Sequence, residues 1–152
     1  MEFRHATDQD LASIVRLLAD DALGSGRERY EQPLPQAYVQ AFAAIRQQHG
    51  NFILLAVENT EVLGCLQLTL IPGLARLGMT RAQIEGVRVA ASHRGKGVGE
   101  ALFQHAIGYA REQGCGLVQL TTDKSRGDAH RFYERLGFVD SHAGMKLMLA
   151  DD

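Results

Sequence analysis

Tryptophan is absent from this 152-residue sequence, and cysteine and proline are scarce, with two and three residues respectively. Cys65 and Cys115 lie inside apolar segments and lack the spacing of metal ligands. We therefore expect two reduced thiols and no metal site, as is typical of a cytoplasmic protein. This cysteine content excludes a disulfide scaffold and a zinc module.

Excess charge of one sign and long apolar runs are also lacking. Sixteen Lys and Arg oppose 18 Asp and Glu, which leaves a formal net charge of -2 at pH 7. Nucleic-acid-binding proteins usually carry a strong basic excess, so we expect no nucleic-acid partner. No apolar stretch approaches the ~20 residues of a membrane span, and the first residues lack the layout of a signal peptide. The sequence therefore predicts a cytoplasmic protein that does not enter a membrane.

What the sequence does have is the composition of one ordinary globular domain. Hydrophobic residues make up 45% of the chain, and no repeat, low-complexity tract or linker divides it. A chain of this length buries a sizeable core. We therefore expect a single domain over residues 1–152.

Hydrophobic periodicity predicts alternating helices and strands. The predicted helices are Asp8–Ala22, a helix between Pro35 and His49, Gly97–Gln113 and Asp128–Leu136. The predicted strands are a hairpin of Phe52–Val57 and Val62–Ile71, then Arg81–Ala90, Leu117–Thr122, and closing strands from Phe138 onward that include Met145–Leu149. The order β-α-α-β-β-β-α-β-α-β-β is that of a mixed α/β domain rather than a bundle or a sandwich.

Three glycines stand within five residues between a predicted strand and a predicted helix, at Gly95, Gly97 and Gly99. Free N–H groups and the positive dipole end at a helix start favour anions, and glycines let a phosphate approach the backbone. Arg94 and Lys96 add positive charge. The loop therefore predicts a pyrophosphate site, with a simple turn as the alternative. Its spacing is neither that of a P-loop nor that of a Rossmann fingerprint.

The pattern Arg94-x-x-Gly97-x-Gly99 after Val87-Arg88-Val89 resembles the acetyl-coenzyme A loop of the GNAT family of N-acetyltransferases. A second segment, Ala129–Phe138, resembles the aromatic helix of that family. The resemblance covers the chain in element order and is detailed over residues 84–138. It implies a single N-acetyltransferase domain with a strongly twisted, mostly antiparallel sheet, a central splayed parallel strand pair, and helices on both faces.

The resemblance also implies acetyl-coenzyme A as co-substrate, lying where the parallel strands separate. The strand before the loop, with Val87, Arg88 and Val89, is expected to bind the pantetheine arm through its backbone. The expected pyrophosphate ligands are the loop residues Arg94, Gly95, Lys96, Gly97, Val98 and Gly99.

The aromatic helix is expected to contribute Phe132 to the coenzyme site. Many family members carry an asparagine three residues before the alanine of this helix, whereas this chain has Arg126. The usual contact with the pantetheine arm is therefore open at this position. Contact of Lys124 or Arg126 with the 3′-phosphate or adenine is the alternative.

Acetyl transfer to an amine needs a base for the amine proton and benefits from an acid for the leaving thiolate. The resemblance implies that Tyr133 is the acid, because the family's tyrosine at this position commonly lies beside the thioester sulfur. Helical spacing places Ala129, Phe132, Tyr133 and Leu136 on one inward face. A core tyrosine hydrogen-bonded to a carbonyl is the alternative.

Glu85 is the candidate base. In a regular strand Glu85, Val87 and Val89 project to the same face, and Gly86 between them suggests a bulge that redirects the carboxylate. A surface salt bridge to Arg81 or Arg88 is the alternative role of Glu85. His93 and His130 flank the two motifs, and capping or phosphate contacts are expected of them.

The expected function is transfer of an acetyl group from acetyl-coenzyme A to a primary amine of a small molecule or peptide, by direct attack in a ternary complex. Neither cysteine is placed for a covalent intermediate. The alternative is a non-catalytic acyl-coenzyme A sensor or regulatory module. In this family residues 20–31 form the variable acceptor wall, and their mild acidic excess suits a cationic amine, with solubility as the alternative reason. The acceptor stays open.

Exposed C-terminal strands such as Met145–Leu149 often pair in dimers of the family, which makes a homodimer an expectation.

Overall fold

The computed structural model describes residues 1–150 and contains five strands within them. These are β1 (Glu2–His5), β2 (Asn51–Glu58), β3 (Glu61–Ile71), β4 (Arg81–Val89) and β5 (Leu117–Gln119). The helices are α1 (Leu11–Ala19), α2 (Gly24–Arg27), α3 (Gln36–Gln47), the single turn α4 (Ala75–Gly78), α5 (Val98–Glu112) and α6 (Gly127–Arg135). Short 3-10 turns precede α1 at Asp8–Asp10 and α5 at Ala91–His93.

The chain divides into two compact units, Met1–Gln119 and the residues from Leu120 onward. All five strands belong to the first unit, and α6 belongs to the second. The single domain expected from the sequence stays a prediction. No helix within residues 1–150 has both the length and the apolarity to cross a membrane.

The first unit contains a five-stranded sheet in the order β1-β2-β3-β4-β5. Strands β1 to β4 pair antiparallel, and β5 is parallel to β4. The predicted mixed α/β fold, with a mostly antiparallel sheet and one parallel pair, is confirmed.

Helices α1 and α5 cover opposite faces of this sheet. Cys65 packs in a cluster with Ile14 and Leu17 of α1. The next residue along β3, Gly64, lies against Val98 and Leu102 of α5. Because neighbouring residues of a strand point to opposite faces, the two helices lie on opposite sides. The buried side chains of these helices supply much of the core, and each fully buried leucine or phenylalanine contributes about 1.5–3 kcal/mol.

The elements predicted from local pattern agree with the structure within a few residues. The hairpin, the strand at 81–90 and the helices at 97–113 and 128–136 are all present. The first helix is shorter than expected because the chain turns after Ala19, and the carboxylate of Asp21 accepts a hydrogen bond from the N–H of Gly24 at 2.5 Å.

The closing strands predicted from Phe138 and at Met145–Leu149 are wrong. Residues 138–150 contain no strand, and Met145, Leu147 and Leu149 are 92%, 86% and 93% exposed. Alternating apolar residues favour a strand, but a strand also needs a partner edge, and the described part of the chain pairs none with this segment.

Candidate active site

Strands β4 and β5 pair over three residues only, from Arg81↔Leu117 to Gln83↔Gln119. The side chains of the last pair are hydrogen-bonded to each other: the Gln119 side-chain amide donates to the Gln83 side-chain amide oxygen at 2.8 Å. Strand β4 continues to Val89. Within residues 1–150, the β5 side of β4 therefore has no strand partner beyond Gln83. The splayed pair that the resemblance implied stays a prediction, because β5 itself ends at Gln119.

A bulge interrupts β4 at Gly86. Arg88 pairs with Cys65 and Glu85 pairs with Gln67, so two residues of β4 oppose the single Leu66 of β3. Gly86 has a φ of +64°, which only glycine adopts without strain. The bulge suggested by the sequence at this glycine is confirmed.

The bulge changes which side chains share a face of the sheet. Glu85 and Arg88 lie opposite Gln67 and Cys65, which are two residues apart and so point to one face. Val89 lies opposite Gly64, on the other face. In a regular strand Glu85 and Val89 would share a face, but the extra residue of the bulge reverses the alternation beyond it and places them on opposite faces. Glu85 lies instead on the face that α1 covers.

Three carbonyl groups of β4 around the bulge accept hydrogen bonds from side chains. The Cys65 thiol donates to Gly86 O at 3.7 Å, and Arg88 Nη1 donates to Val87 O at 2.9 Å. Arg94 Nε donates to Val89 O at 3.2 Å. Burial raises the pKa of the Cys65 thiol to about 12, so the group stays a protonated donor at neutral pH.

Arg88 pairs with Asp21 rather than with Glu85. Its Nε lies 3.1 Å from Asp21 Oδ2, and the two side chains are only 12% and 19% exposed. Glu85 is exposed and forms no ion pair within residues 1–150. The salt bridge between Glu85 and Arg88, considered as the alternative role of Glu85, is therefore absent from the described structure.

The glycine loop turns directly into α5. Gly95 and Gly97 have φ of +78° and +84°, and Val98, the first residue of α5, is buried against Gly64. No side chain caps the helix start. The first N–H groups of a helix have no intrahelical partner, so they face the loop surface as donors.

Open space surrounds the loop backbone. A Cβ placed on Gly95 or Gly97 meets no heavy atom within 4 Å, and both residues are exposed together with Lys96. Gly99 lies one residue inside the helix and is half-buried. The loop therefore combines unpaired amides, positive charge and room for a bulky anion.

In the second unit, α6 presents a half-buried aromatic face. Phe132, Tyr133 and Phe138 contact one another edge-on, with Tyr133 ring centroids 5.6 Å from Phe132 and 6.1 Å from Phe138. Arg131, Glu134 and Arg135 are exposed. The four residues of the predicted inward face, Ala129, Phe132, Tyr133 and Leu136, are all partly buried, and no residue of α6 is fully buried.

Arg126 stands immediately before α6. Its N–H donates to Asp123 O at 2.9 Å, and its carbonyl accepts from the N–H of His130 at 3.2 Å. The His130 ring lies 3.5 Å from Glu134 and 3.8 Å from Asp140, and His93 contacts Ser92 at 2.8 Å. Both histidines therefore have contacts within their own segments.

The acidic side chains between α1 and α3 contact partners inside the chain. Asp21 contacts Arg88, and Asp20 lies 3.9 Å from Arg94. Glu31 accepts two hydrogen bonds from Arg29, at 2.9 and 3.0 Å.

Glu28 of the same segment accepts a hydrogen bond from the Tyr38 hydroxyl at 2.8 Å, and burial raises the pKa of that hydroxyl. Arg27, by contrast, is exposed and forms no ion pair within residues 1–150. The acidic side chains of the segment thus all contact groups within the chain.

The family model described as Acetyltransferase (GNAT) family matches residues 12–138. The chain belongs to the GNAT family. This GNAT chain is similar to the aminoalkylphosphonate N-acetyltransferase of Salmonella typhimurium, with 33% identity over 93% of the chain and 86% of that protein. It is 28% identical to the glucosamine 6-phosphate N-acetyltransferase of Trypanosoma brucei brucei, over 98% of the chain and 96% of that protein.

Among solved structures, a transcriptional regulator from Bacillus halodurans C-125 superposes on this GNAT chain with a TM-score of 0.95. The two sequences are 50% identical, and the alignment covers 97% of this chain and 99% of the other. The similarity extends over almost the full length of both proteins.

Sequence reasoning missed the role of Asp21 in this GNAT chain. Asp21 contacts the N–H of Gly24 and the guanidinium of Arg88, which is 67 positions away in the chain (88 − 21 = 67). An aspartate three residues before a glycine is a local signal for the first contact. The second contact is tertiary and has no sequence signal. Residues 1–150 contain no group of three or more His, Cys, Asp or Glu side chains that could hold a metal ion.

Proposed function

We propose that this chain transfers the acetyl group of acetyl-coenzyme A to a primary amine by direct attack in a ternary complex. One observation carries the proposal: β4 extends beyond the end of its parallel partner β5 and leads into an open glycine loop at the start of α5. This arrangement offers backbone groups to an extended arm and amides to a diphosphate at its end.

The residues present fit acetyl-coenzyme A, which would supply an activated acetyl thioester. The backbone of Val87 and Val89 would hold the pantetheine arm, with Arg88 between them. Each of the two carbonyls accepts one side-chain hydrogen bond and keeps a second lone pair. The loop from Arg94 to Gly99 would hold the pyrophosphate, and its open surroundings support this fit. Phe132 and Arg126 of the second unit are proposed as further coenzyme contacts.

Two side chains are proposed to move protons. Glu85 accepts the proton that the amine loses as its nitrogen attacks the thioester carbon, and its exposure and lack of an ion pair in residues 1–150 support this role. Tyr133 donates a proton to the thiolate that leaves when the carbon–sulfur bond breaks. The buried Cys65, with its pKa raised to about 12, is a poor nucleophile, which supports direct attack by the amine.

The acceptor that we propose is a small primary amine bearing a phosphate or phosphonate group. Two relatives aligned over most of their length are named for such substrates, an aminoalkylphosphonate and glucosamine 6-phosphate. The acidic side chains of residues 20–31 are engaged internally, whereas Arg27 is exposed and unpaired within residues 1–150. A guanidinium is well suited to an anionic phosphoryl group.

Calorimetry with acetyl-coenzyme A, followed by a thiol-release assay on a panel of amines, tests the function. We expect saturable binding and sustained turnover, fastest with amines that carry a phosphoryl group. The panel pairs each such amine with its dephosphorylated analogue as control. A folded sample that shows no saturable heat with acetyl-coenzyme A contradicts the proposal.

A second candidate is an acyl-coenzyme A-binding regulatory module without turnover. The similarity to a protein described as a transcriptional regulator, at 50% identity, favours this candidate. Both functions require coenzyme binding, so the amine panel distinguishes them. Sustained turnover on any amine excludes the regulatory module, and binding without turnover across the panel favours it.

We also propose that the protein forms a homodimer through residues 138–149. Val139, Met145, Leu147 and Leu149 are large apolar side chains and are between 81% and 93% exposed. Large apolar side chains exposed close together in the sequence are candidates for an interaction site. The alignment with the Bacillus halodurans structure leaves about 3% of this chain unaligned, so most of residues 138–149 lie within the aligned part.

A further inference from the structure

A buried ion pair joins β4 to the segment that follows α1. Arg88 and Asp21 are 12% and 19% exposed, whereas the side chains of the exposed pair Arg29 and Glu31 are 68% and 49% exposed. Exposed ion pairs contribute little because water and salt screen them. A pair removed from water interacts more strongly, and loss of one partner leaves an uncompensated charge.

Each member of this pair also holds a backbone group. Asp21 Oδ1 accepts from the N–H of Gly24 at 2.5 Å, and Arg88 Nη1 donates to the carbonyl of Val87 at 2.9 Å. A continuous set of contacts therefore runs from the start of α2, through two side chains, to the bulge in β4. The path begins in residues 20–31 and ends at a residue of the proposed pantetheine strand.

The start of α2 packs closely against the end of α1. Gly24 is buried, and a Cβ at this position would lie 1.9 Å from the carbonyl oxygen of Leu18. The backbone of the segment is thus packed directly on the end of α1. Its distance from β4 is set by that packing and by the pair of Asp21 with Arg88.

The contact is electrostatic rather than a well-aligned hydrogen bond. Arg88 Nε lies 3.1 Å from Asp21 Oδ2, yet this buried nitrogen has no hydrogen-bond partner of acceptable geometry in the described residues. The attraction therefore depends on the two charges. A neutral side chain of the same shape at either position removes it.

We propose that Asp21 and Arg88 are positioning residues that hold the acceptor-side segment against the thioester-binding strand. The inference rests on the proposed function. Arg88 lies on the same face of β4 as Glu85, so a shift of residues 20–31 changes how the amine approaches the base. Loss of the Asp21 charge should therefore affect the amine more than the coenzyme, since Asp21 belongs to the acceptor-side segment.

The substitution Asp21→Asn tests the proposal because it keeps an oxygen for the Gly24 N–H and removes the charge. We expect kcat/KM for the amine to fall between about ten-fold and a hundred-fold, as small misplacements of a substrate do. The calorimetric Kd for acetyl-coenzyme A should stay at its wild-type value. Arg88→Gln keeps a donor for Val87 O and should lower the same amine constant.

A double variant provides the decisive comparison. If the two residues act as one pair, Asp21→Asn combined with Arg88→Gln is no worse than the more damaging single variant. Asp8→Asn is the matched control, since it removes the exposed pair with Arg46 and should leave both constants unchanged.

Several outcomes contradict the positioning role. Unchanged amine constants in Asp21→Asn, additive losses in the double variant, or loss of folded protein in both single variants each overturn it, and the last assigns the pair to stability alone. In these cases the wild type still binds acetyl-coenzyme A and turns over. A wild-type protein that neither binds nor turns over overturns the proposed function as well.

Discussion

At the scale of single residues, Tyr133 has an aromatic ring between two others and a hydroxyl at its far end. Its ring contacts Phe132 and Phe138 edge-on, and its carbonyl accepts from the N–H of Phe138 at 3.1 Å. Such contacts fix the ring and leave the hydroxyl as the chemically distinctive group. The general-acid role that we propose for Tyr133 therefore concerns a single oxygen atom.

Removal of that oxygen tests the role. Tyr133→Phe should lower kcat by about a hundred-fold or more, the usual contribution of a general acid, with little change in acetyl-coenzyme A affinity. Tyr109→Phe is the control, because Tyr109 packs edge-on against Phe52 through its ring. Equal kcat values in wild type and Tyr133→Phe, across several amines, would exclude the acid role.

Asp10 is a buried carboxylate outside the proposed site. Arg4 donates two hydrogen bonds to it, at 2.8 and 2.9 Å, and the N–H of Thr7 donates a third at 2.8 Å. The hydrogen bond from Arg4 is the main reason that the pKa of Asp10 falls to about 2. The folded protein thus binds this proton more weakly than the unfolded chain.

The depressed pKa predicts how stability depends on pH. The contribution of Asp10 is complete above about pH 4 and is lost as the pH falls toward 2. Asp10→Asn should therefore lower the free energy of unfolding by about 1–2 kcal/mol at pH 7, allowing for the partial exposure of Arg4. Urea titrations at pH 7 and near pH 2 measure it. A destabilisation of the same size at both values would contradict the assignment.

At the scale of elements, the glycine loop and α5 form the part of the site most clearly predicted from the sequence. Gly97 has a φ of +84° at the start of α5, and Gly114 has a φ of +83° after its end. A Cβ on either residue meets no heavy atom within 4 Å. Alanine would therefore strain the backbone equally at the two positions. Only Gly97 belongs to the loop proposed to bind the pyrophosphate.

This symmetry supplies a matched pair of variants. Gly97→Ala and Gly114→Ala should each lower stability by about 1 kcal/mol through backbone strain. Only Gly97→Ala should weaken acetyl-coenzyme A binding, by roughly ten-fold, because it displaces amides proposed to bind the pyrophosphate. Calorimetry on both variants measures this difference. Equal affinities in the two would indicate that the loop amides do not bind the coenzyme.

The sequence predicted elements that depend on local pattern and failed where contacts between distant residues decide. The hairpin, α5 and the bulge at Gly86 follow from periodicity and from one glycine. The face on which Glu85 lies depends on how many residues of β4 oppose Leu66, and no pattern in β4 alone specifies that register. The pairing of Asp21 with Arg88 arises only when α1 packs on the sheet.

At the scale of the whole molecule, the boundary between the two compact units follows Gln119 in the chain, and the match to the GNAT family runs from residue 12 to 138, so it includes residues of both. Of the residues that we propose as catalytic, Glu85 belongs to the first unit and Tyr133 to the second. The single domain over residues 1–152 stays a prediction.

The exposed apolar segment at residues 138–149 leads to a prediction for the whole molecule. Wild-type protein should sediment as a dimer, and the double substitution Leu147→Glu with Leu149→Glu should yield monomers, because burial of a charge in an apolar interface is costly. Leu77→Glu is the control, since Leu77 is fully exposed on α4, far along the chain from this segment. A monomeric wild type in analytical ultracentrifugation would rule out the dimer.

The bulged strand, its β3 partner and the glycine loop with its helix come from one uninterrupted run of chain, residues 61–112. A ribosome therefore completes this run before it begins the aromatic helix, so the surface that we propose binds the coenzyme can form early in synthesis. Genetic recombination on either side of the run can also exchange the flanking sequences without dividing it. Such an exchange would change the segment that we propose faces the amine and leave the proposed coenzyme-binding residues of this run together.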